Sequence, residues 1–474
     1  MDADTPCIGI SLDFETLRAG YDAGRFTPVD VVAEVYRRIR ARGEDFVWTH
    51  LVPEDEALAR AHELTATGPA SLPLYGLPFA VKDNIHVAGL PTTASCPAYR
   101  RFPEKTATVV RRLADAGAIL IGKNTLDQFA TGLVGVRSPG HPVNPFDPDY
   151  IPGGSSSGSA VAVSAGLASF SLGSDTGGSG RVPAALNNIV GLKPTPGIVS
   201  AAGLVYANRS FDCVPIFALT CGDAERVFDV ALGADPDDPF MRSDPHLSAK
   251  STFPASGFSV GVPDEAHLTF FGDAKAERCF EHAKARVEEL GGEIVEIDFS
   301  PFAAVAPMLF NGPILSERLA SLGDFLADHR DEVHPVVGNI IDQAAGYSAV
   351  DLVNEYYRLH QLKTAAYAEL KRVDVLMVPT SGTIYTIKEL EDDPVTLNAN
   401  MGYYTYFANL LQLSALAVPA AIREDGLPFG VCFLAGPRED RALIALGKRF
   451  HQAAGLPLGA TGYPYPEPAP ATLS

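Results

Sequence analysis

The chain has 474 residues, 37 of them basic and 57 acidic, for a formal charge of −20, a balance that repels nucleic acid and anionic membrane surfaces and removes both from the expected partners. At 46% hydrophobic and 20% charged residues it has the composition of a core-forming globular protein, and no apolar run reaches the length of a membrane helix. The start Met-Asp-Ala-Asp-Thr-Pro lacks the basic and apolar stretches of a secretory leader, so a cytoplasmic protein is expected.

Thr27-Pro28 sets a capping residue before a proline, and Val31, Val35 and Ile39 recur on one face, which predicts an amphipathic helix over 27–42. A second helix is expected over 104–116. The run Gly117-Ala-Ile-Leu-Ile-Gly122 that follows has the character of a strand buried on both faces. Similar runs lie at 258–262, 293–297, 373–378 and 430–434, several of them after helical stretches such as 274–290 and 351–371. This alternation predicts an α/β protein whose sheet is covered on both sides. Residues 300–350 read as broken helices that could form a lobe over a site. With no repeat and no convincing linker, one domain over 1–474 is the expectation.

The segment from about 130 to 215 departs from this rhythm, because small residues crowd it while Val161, Val163, Leu167 and Leu172 keep it core-forming. Pro152-Gly-Gly-Ser-Ser-Ser-Gly-Ser-Ala160 leads into a helix of small residues expected over 160–168. Read alone, that run suits a close-packed turn or an anion cradle; the lysine of a nucleotide-binding P-loop is missing. In Gly173-Ser-Asp-Thr-Gly-Gly-Ser-Gly-Arg-Val-Pro183, glycines before Ser179 allow the N–H groups near Thr176, Gly177 and Gly178 to turn toward one point. An oxyanion hole needs that arrangement beside a hydroxyl nucleophile. Asp175 and Arg181 are expected to brace the turn as an ion pair.

A serine nucleophile needs a proton acceptor. None of the eleven histidines stands in these runs and no G-x-S-x-G elbow surrounds Ser179. Lys82, in Leu74-Tyr-Gly-Leu-Pro-Phe-Ala-Val-Lys-Asp-Asn84, follows an apolar stretch, and burial would favour its neutral, proton-accepting form. The six cysteines show no metal-type spacing, so free thiols are expected, with no metal and no cofactor.

Together the three runs resemble the amidase signature family. The likeness is dense from about 70 to 220, and its pattern of a V-K-D-N lysine, a G-G-S-S serine and a D-x-G-G-S serine is highly specific. The resemblance implies a central mixed β-sheet sandwiched between helices, and a catalytic triad of Lys82, Ser155 preceded by a cis peptide, and Ser179. It also implies a small-molecule amide substrate, a homodimer and no cofactor.

Within the family, Asp127-Gln-Phe-Ala-Thr-Gly132-Leu-Val-Gly, Arg137-Ser-Pro and Asn187-Asn-Ile-Val-Gly-Leu-Lys-Pro-Thr are similar to the amidase domain of allophanate hydrolase, without its second, C-terminal domain. That likeness points to Gly132 and Arg318 as substrate contacts. Phe310 stands where the branch has a substrate-binding tyrosine, and Pro196 and Ala202 stand where it often has arginines. The expected reaction is ammonia release from a urea derivative, with allophanate, guanylurea and biuret all open. A general aliphatic amidase, the amidase-type subunit of a glutamine-dependent amidotransferase and a non-catalytic binding protein are the other readings.

Overall fold

A computed structural model describes residues 9–69, 72–242 and 252–466. Its centre is one sheet of eleven strands. In chain order these are β1 (Trp48–Leu51), β2 (Pro78–Lys82), β3 (Ile119–Asn124), β4 (Phe170–Leu172), β5 (Val190–Lys193), β6 (Ile216–Ala218), β7 (Phe258–Pro263), β8 (Gly292–Ile297), β9 (Val375–Pro379), β10 (Ser414–Ile422) and β11 (Pro428–Ala435). Across the sheet they run β1-β3-β2-β4-β6-β5-β10-β11-β9-β7-β8. The sheet is mixed: β2 lies parallel to β3 and β4, β7 lies parallel to β8 and β9, and the strands between β4 and β9 pair antiparallel.

Both faces are covered, and the two-residue period of the strands shows it. Val431 and Phe433 join the large core that also holds Phe79, Val81, Phe170 and Leu416, while Cys432 and Leu434 join a second core with Leu376, Val378 and Phe407. The first core is closed by helices that include Pro28–Arg42 and Asp440–Ala454. The second is closed by the helices after residue 300. The α/β fold with a sheet between helices is therefore as expected. Among the described residues, no helix is long and apolar enough to cross a membrane.

The expected helix at 27–42 forms as Pro28–Arg42, with Thr27 and Asp30 in a reciprocal capping box worth about 1 kcal/mol. Other expectations shift. The helix expected from Glu104 begins at Thr108, because the Ala107 N–H donates to His86 O and Thr106 Oγ1 accepts from Ala88 N, tying this stretch to 86–88. The strand after it begins at Ile119 rather than Gly117, whose φ of +99° makes a turn, and continues through Asn124. The helix expected at 160–168 runs Ser157–Ser164 and ends at Gly166, with φ +68°. The strand at 293–297 is not buried on both faces: β8 closes the edge of the sheet and is mostly half-exposed.

Residues 300–350 fold as short helices, chiefly Ser300–Val305, Ser316–His329 and Pro335–Asp342. They pack on the site side through Leu309 and Ile314, carry a small core of their own around Leu315, and through Leu322, Leu326 and Val337 share another with Ala94, Tyr99 and Phe129.

Candidate active site

Lys82 is the last residue of β2, a strand buried along its whole length between β3 and β4. The side chain is completely buried, and its Nζ lies 2.7 Å from Ser155 Oγ, 2.9 Å from Ser174 Oγ and 3.4 Å from Ser174 O. Burial drives the Lys82 amine down to about 7, against the raising pull of Asp127, Asp175 and Asp212. An amine that loses its hydration without gaining a contact carboxylate favours the neutral form. A neutral amine has one lone pair and two hydrogens, which matches three oxygen neighbours: one hydrogen bond accepted and two donated.

Ser155 follows the cis peptide Gly154–Ser155 and lies just before the helix Ser157–Ser164. Asp127 accounts for much of the local shape. Its carboxylate accepts hydrogen bonds from the N–H groups of Val134 (3.2 Å), Gly135 (3.0 Å) and Arg137 (2.9 Å), while its own N–H donates to Ser155 O. A Cβ on Gly154 would stand 2.3 Å from Asp127 Oδ2, so only glycine fits there. Gly132, with φ +154°, packs against the same carboxylate: a Cβ there would lie 2.7 Å from Asp127 Oδ2.

The turn carrying Ser179 is held from behind. Arg181 donates to Asp175 from Nε (3.1 Å) and Nη2 (3.0 Å), both side chains being fully buried, and the Asp175 carboxylate also accepts from Gly178 N and Gly180 N at 2.8 Å each. The expected ion pair is present and is a brace. Arg181 holds the Asp175 carboxyl below the usual carboxylate range despite its burial. Breaking such a pair by removing one partner costs about 3–5 kcal/mol. Because Gly178 gives its N–H to Asp175, the N–H groups of Thr176, Gly177 and Ser179 are the ones without a protein acceptor among the described residues. Gly177 must be small, since a Cβ there would sit 2.4 Å from Leu309 Cδ2 and 2.9 Å from Tyr406 Cδ1.

Arg318, on the helix Ser316–His329, is only 1% exposed. Its Nη1 donates to Thr131 Oγ1 (2.8 Å) and Ala130 O (3.4 Å), whereas Nε and Nη2 have no partner. The guanidinium lies over the Phe310 ring at 4.9 Å, and Phe310 packs on Tyr406 at 5.0 Å between centroids. Burial lowers Arg318 to about 10, opposed by the fields of Asp212, Tyr406 and Glu317. It remains a cation at neutral pH, with a fork of unused donors. Glu317 does not cancel it by contact, because that carboxylate accepts from Ser210 N (2.9 Å) and Tyr356 OH (3.2 Å).

Four residues of this assembly were not singled out as site residues from the sequence. Ser174 supplies two of the three oxygens around Lys82, and Asp127 shapes the Ser155 loop. Thr131 anchors Arg318. Asp212 accepts from Thr176 Oγ1 at 2.5 Å and from Ala207 N and Asn208 N, and its burial raises it to about 6. Ser174 and Asp127 lie inside runs quoted above, so small-residue density and an acid near Gly132 were the available signals. Thr131 stands in the same quoted run as Asp127, next to Gly132, and Asp212 had no such signal. Among the described residues, the one group of possible metal ligands is Asp264, His267 and Asp298, after β7 and β8 and separate from this constellation.

A sheet of this topology and a buried lysine between serines define a class. The amidase family profile matches residues 30–444, and the chain belongs to that family. Within the family it is similar to urea amidolyase of Saccharomyces cerevisiae, 42% identical over 413 residues, covering 86% of this chain but 22% of the yeast protein. The fold matches Kluyveromyces lactis allophanate hydrolase with a TM-score of 0.88 and 38% identity, over 95% of this chain and 74% of that one. A glutamyl-tRNA(Gln) amidotransferase polypeptide from Prochlorococcus marinus is 34% identical, over 84% of this chain and 87% of its own length.

Proposed function

We propose that this protein hydrolyses the terminal amide of a small, carboxylate-bearing urea derivative, allophanate being the one that fits, and releases ammonia. The observation that carries the amide chemistry is the Lys82 amine, buried 2.7 Å from Ser155 Oγ. The observation that favours an anion over guanylurea is the buried Arg318 with Nε and Nη2 unpartnered. A planar carboxylate satisfies two such donors at once, while a guanidinium-bearing substrate would add a second cation to the same pocket.

In this reading neutral Lys82 takes the Ser155 proton as Ser155 takes that of Ser179, and the Ser179 oxygen attacks the terminal amide carbon. The N–H groups of Thr176, Gly177 and Ser179 hold the developing oxyanion; Gly178, engaged with Asp175, supports the turn instead. The relay returns the proton to the leaving nitrogen, the carbon–nitrogen bond breaks and ammonia departs. Water then attacks the acyl-enzyme and frees Ser179. Phe310 contributes a flat face behind Arg318 in place of a hydrogen bond. Gly132, next to the Arg318 anchor at Thr131, lets the chain close on the Asp127 carboxylate. No cofactor is needed for any of these steps.

The test is ammonia release from allophanate, guanylurea, biuret and propionamide by the purified protein. A kcat/KM for allophanate at least tenfold above the others supports the reading, and guanylurea in first place overturns the assignment of charge. Glutaminase activity appearing only with a partner complex would move the protein to the amidotransferase side. Failure of Ser179 to react with a fluorophosphonate probe would point to a non-catalytic binding protein. We further propose that the described chain acts as a single domain and as a cytoplasmic homodimer, which sedimentation would check.

A further inference from the structure

Outside the site, a groove of about 720 Å³ runs between residues 99–103, the segment 204–210 and the helix Ser316–His329. Two arginines line it. Arg101 lies 4.3 Å over the Tyr99 ring, and Arg209 lies 5.1 Å over Tyr206 and 5.3 Å over Phe240. Among the described residues neither forms an ion pair, so each is held by aromatic faces with its charge uncancelled by a contact acid. An adjoining hollow that shares His86 adds Lys105. In a chain of net charge −20, a groove lined by two arginines and a single acid, Glu317, is more positive than the rest of the chain.

Acids stand close to the groove, and their hydrogen bonds fix their places without removing their charge. Glu317 lines it but spends its carboxylate on Ser210 N and Tyr356 OH. Asp237 lies in the adjoining hollow, opposite Lys105, and Asp212 and Asp238 face a neighbouring hollow that shares Arg209.

The groove touches both halves of the site from outside. Glu317 precedes Arg318 in the chain and Ala320 and Ser321 follow it on the same helix, so Arg318 points inward from the groove's own wall. Val205, also in the wall, accepts a hydrogen bond from Asn84 Nδ2 (3.1 Å) and donates its N–H to Asn84 O, and the same Asn84 amide donates to Ser174 Oγ beside Lys82.

We propose that this groove is the mouth through which a carboxylate-bearing substrate reaches Arg318, with Arg101 and Arg209 as its anion-collecting residues. The inference rests on the reading of the substrate as an anion. A long-range field of a protein this acidic slows the approach of any anion, and a channel whose lining holds more arginines than acids counters it; such steering changes encounter rates by about ten- to a thousandfold and weakens with salt.

The test is the doubly substituted Arg101→Gln/Arg209→Gln protein assayed on allophanate at about 20 mM and about 300 mM salt, a range over which the screening length shrinks several-fold. The expected result is a kcat/KM about tenfold below the parent at low salt, carried by KM, with a flattened salt dependence and a much smaller loss on neutral propionamide. An unchanged kcat/KM and salt slope, or an equal loss on propionamide, overturns the proposal. If the parent protein turns over other amides but not allophanate, it is the functional reading that fails. The groove is then read by inhibition with oxamate, which carries an amide and a carboxylate: a Ki about tenfold weaker in the double variant upholds the anion mouth, and an unchanged Ki removes it.

Discussion

The ends of β2 and β3 each bury a lysine one strand apart, and the two are built to opposite purposes. Lys82 meets only hydroxyl and carbonyl oxygens, from Ser155 and Ser174. Lys123 meets Asp83 Oδ1 at 2.9 Å, together with Thr92 Oγ1 and Pro91 O. Burial lowers both amines, but at Lys123 the contact carboxylate opposes it directly, whereas at Lys82 the opposing acids act from further away. In the proposed mechanism this difference separates a base from a structural charge: a carboxylate in contact stabilises the ammonium, and hydroxyls alone leave the neutral amine competitive.

The largest effect expected on the Lys82 side of this comparison comes from the nucleophile whose proton the relay takes. Ser179→Ala should lower ammonia release by at least about ten-thousandfold and abolish labelling by a fluorophosphonate. Next, Lys82→Met should lower kcat/KM by about a thousandfold while the thermal midpoint holds or rises, since a desolvated amine is removed. Lys123→Met should do the reverse, costing about 3–5 kcal/mol in a denaturant titration because the buried Asp83 loses its cation and keeps only hydrogen bonds from Thr93, with kcat per folded molecule little changed. If the two lysine variants behave alike, the distinction between base and brace is wrong.

Arg318→Gln should raise the KM for allophanate by about ten- to a hundredfold, the worth of charge-assisted hydrogen bonds, and affect propionamide far less. The pH dependence carries the smaller signal. With Lys82 at about 7 and active when neutral, kcat/KM should climb with pH through that region and level off above it, falling with unit slope on the acid side. Asp212 pulls the Lys82 value upward, so Asp212→Asn should move the midpoint toward lower pH, by less than about one unit. A midpoint that stays put, or moves upward, would show that the Asp212 charge does not reach the base.

The sequence carried the chemistry of this site better than its walls. The runs around Ser155 and Ser179 stand out in the sequence because glycines in them are compulsory: Gly154 has no room beside Asp127, and Gly177 none beside Leu309 and Tyr406. Strands such as β9 and β11 were legible as apolar runs, but β10, rich in alanine and interrupted by Pro419, was not, although it pairs with both β5 and β11 at the middle of the sheet. The exposure of β8 follows from its edge position, which only the topology reveals. Thr131 reaches Arg318 across 187 positions of chain, and Asn409 donates to Asp175 O across 234. Contacts of that span leave no local pattern to read.

One small core lies wholly inside residues 300–350. Leu315, Ile340 and Ala344 pack there with Phe310, whereas Leu322, Leu326 and Val337 share theirs with Ala94, Tyr99 and Phe129; both clusters are separate from the large core that supports β2 and the helix Ser157–Ser164. A substitution at Phe310 therefore leaves untouched the packing beneath the strand that carries Lys82. The proposed base and the ring behind Arg318 rest on different cores, so one can be altered while the other stays in place.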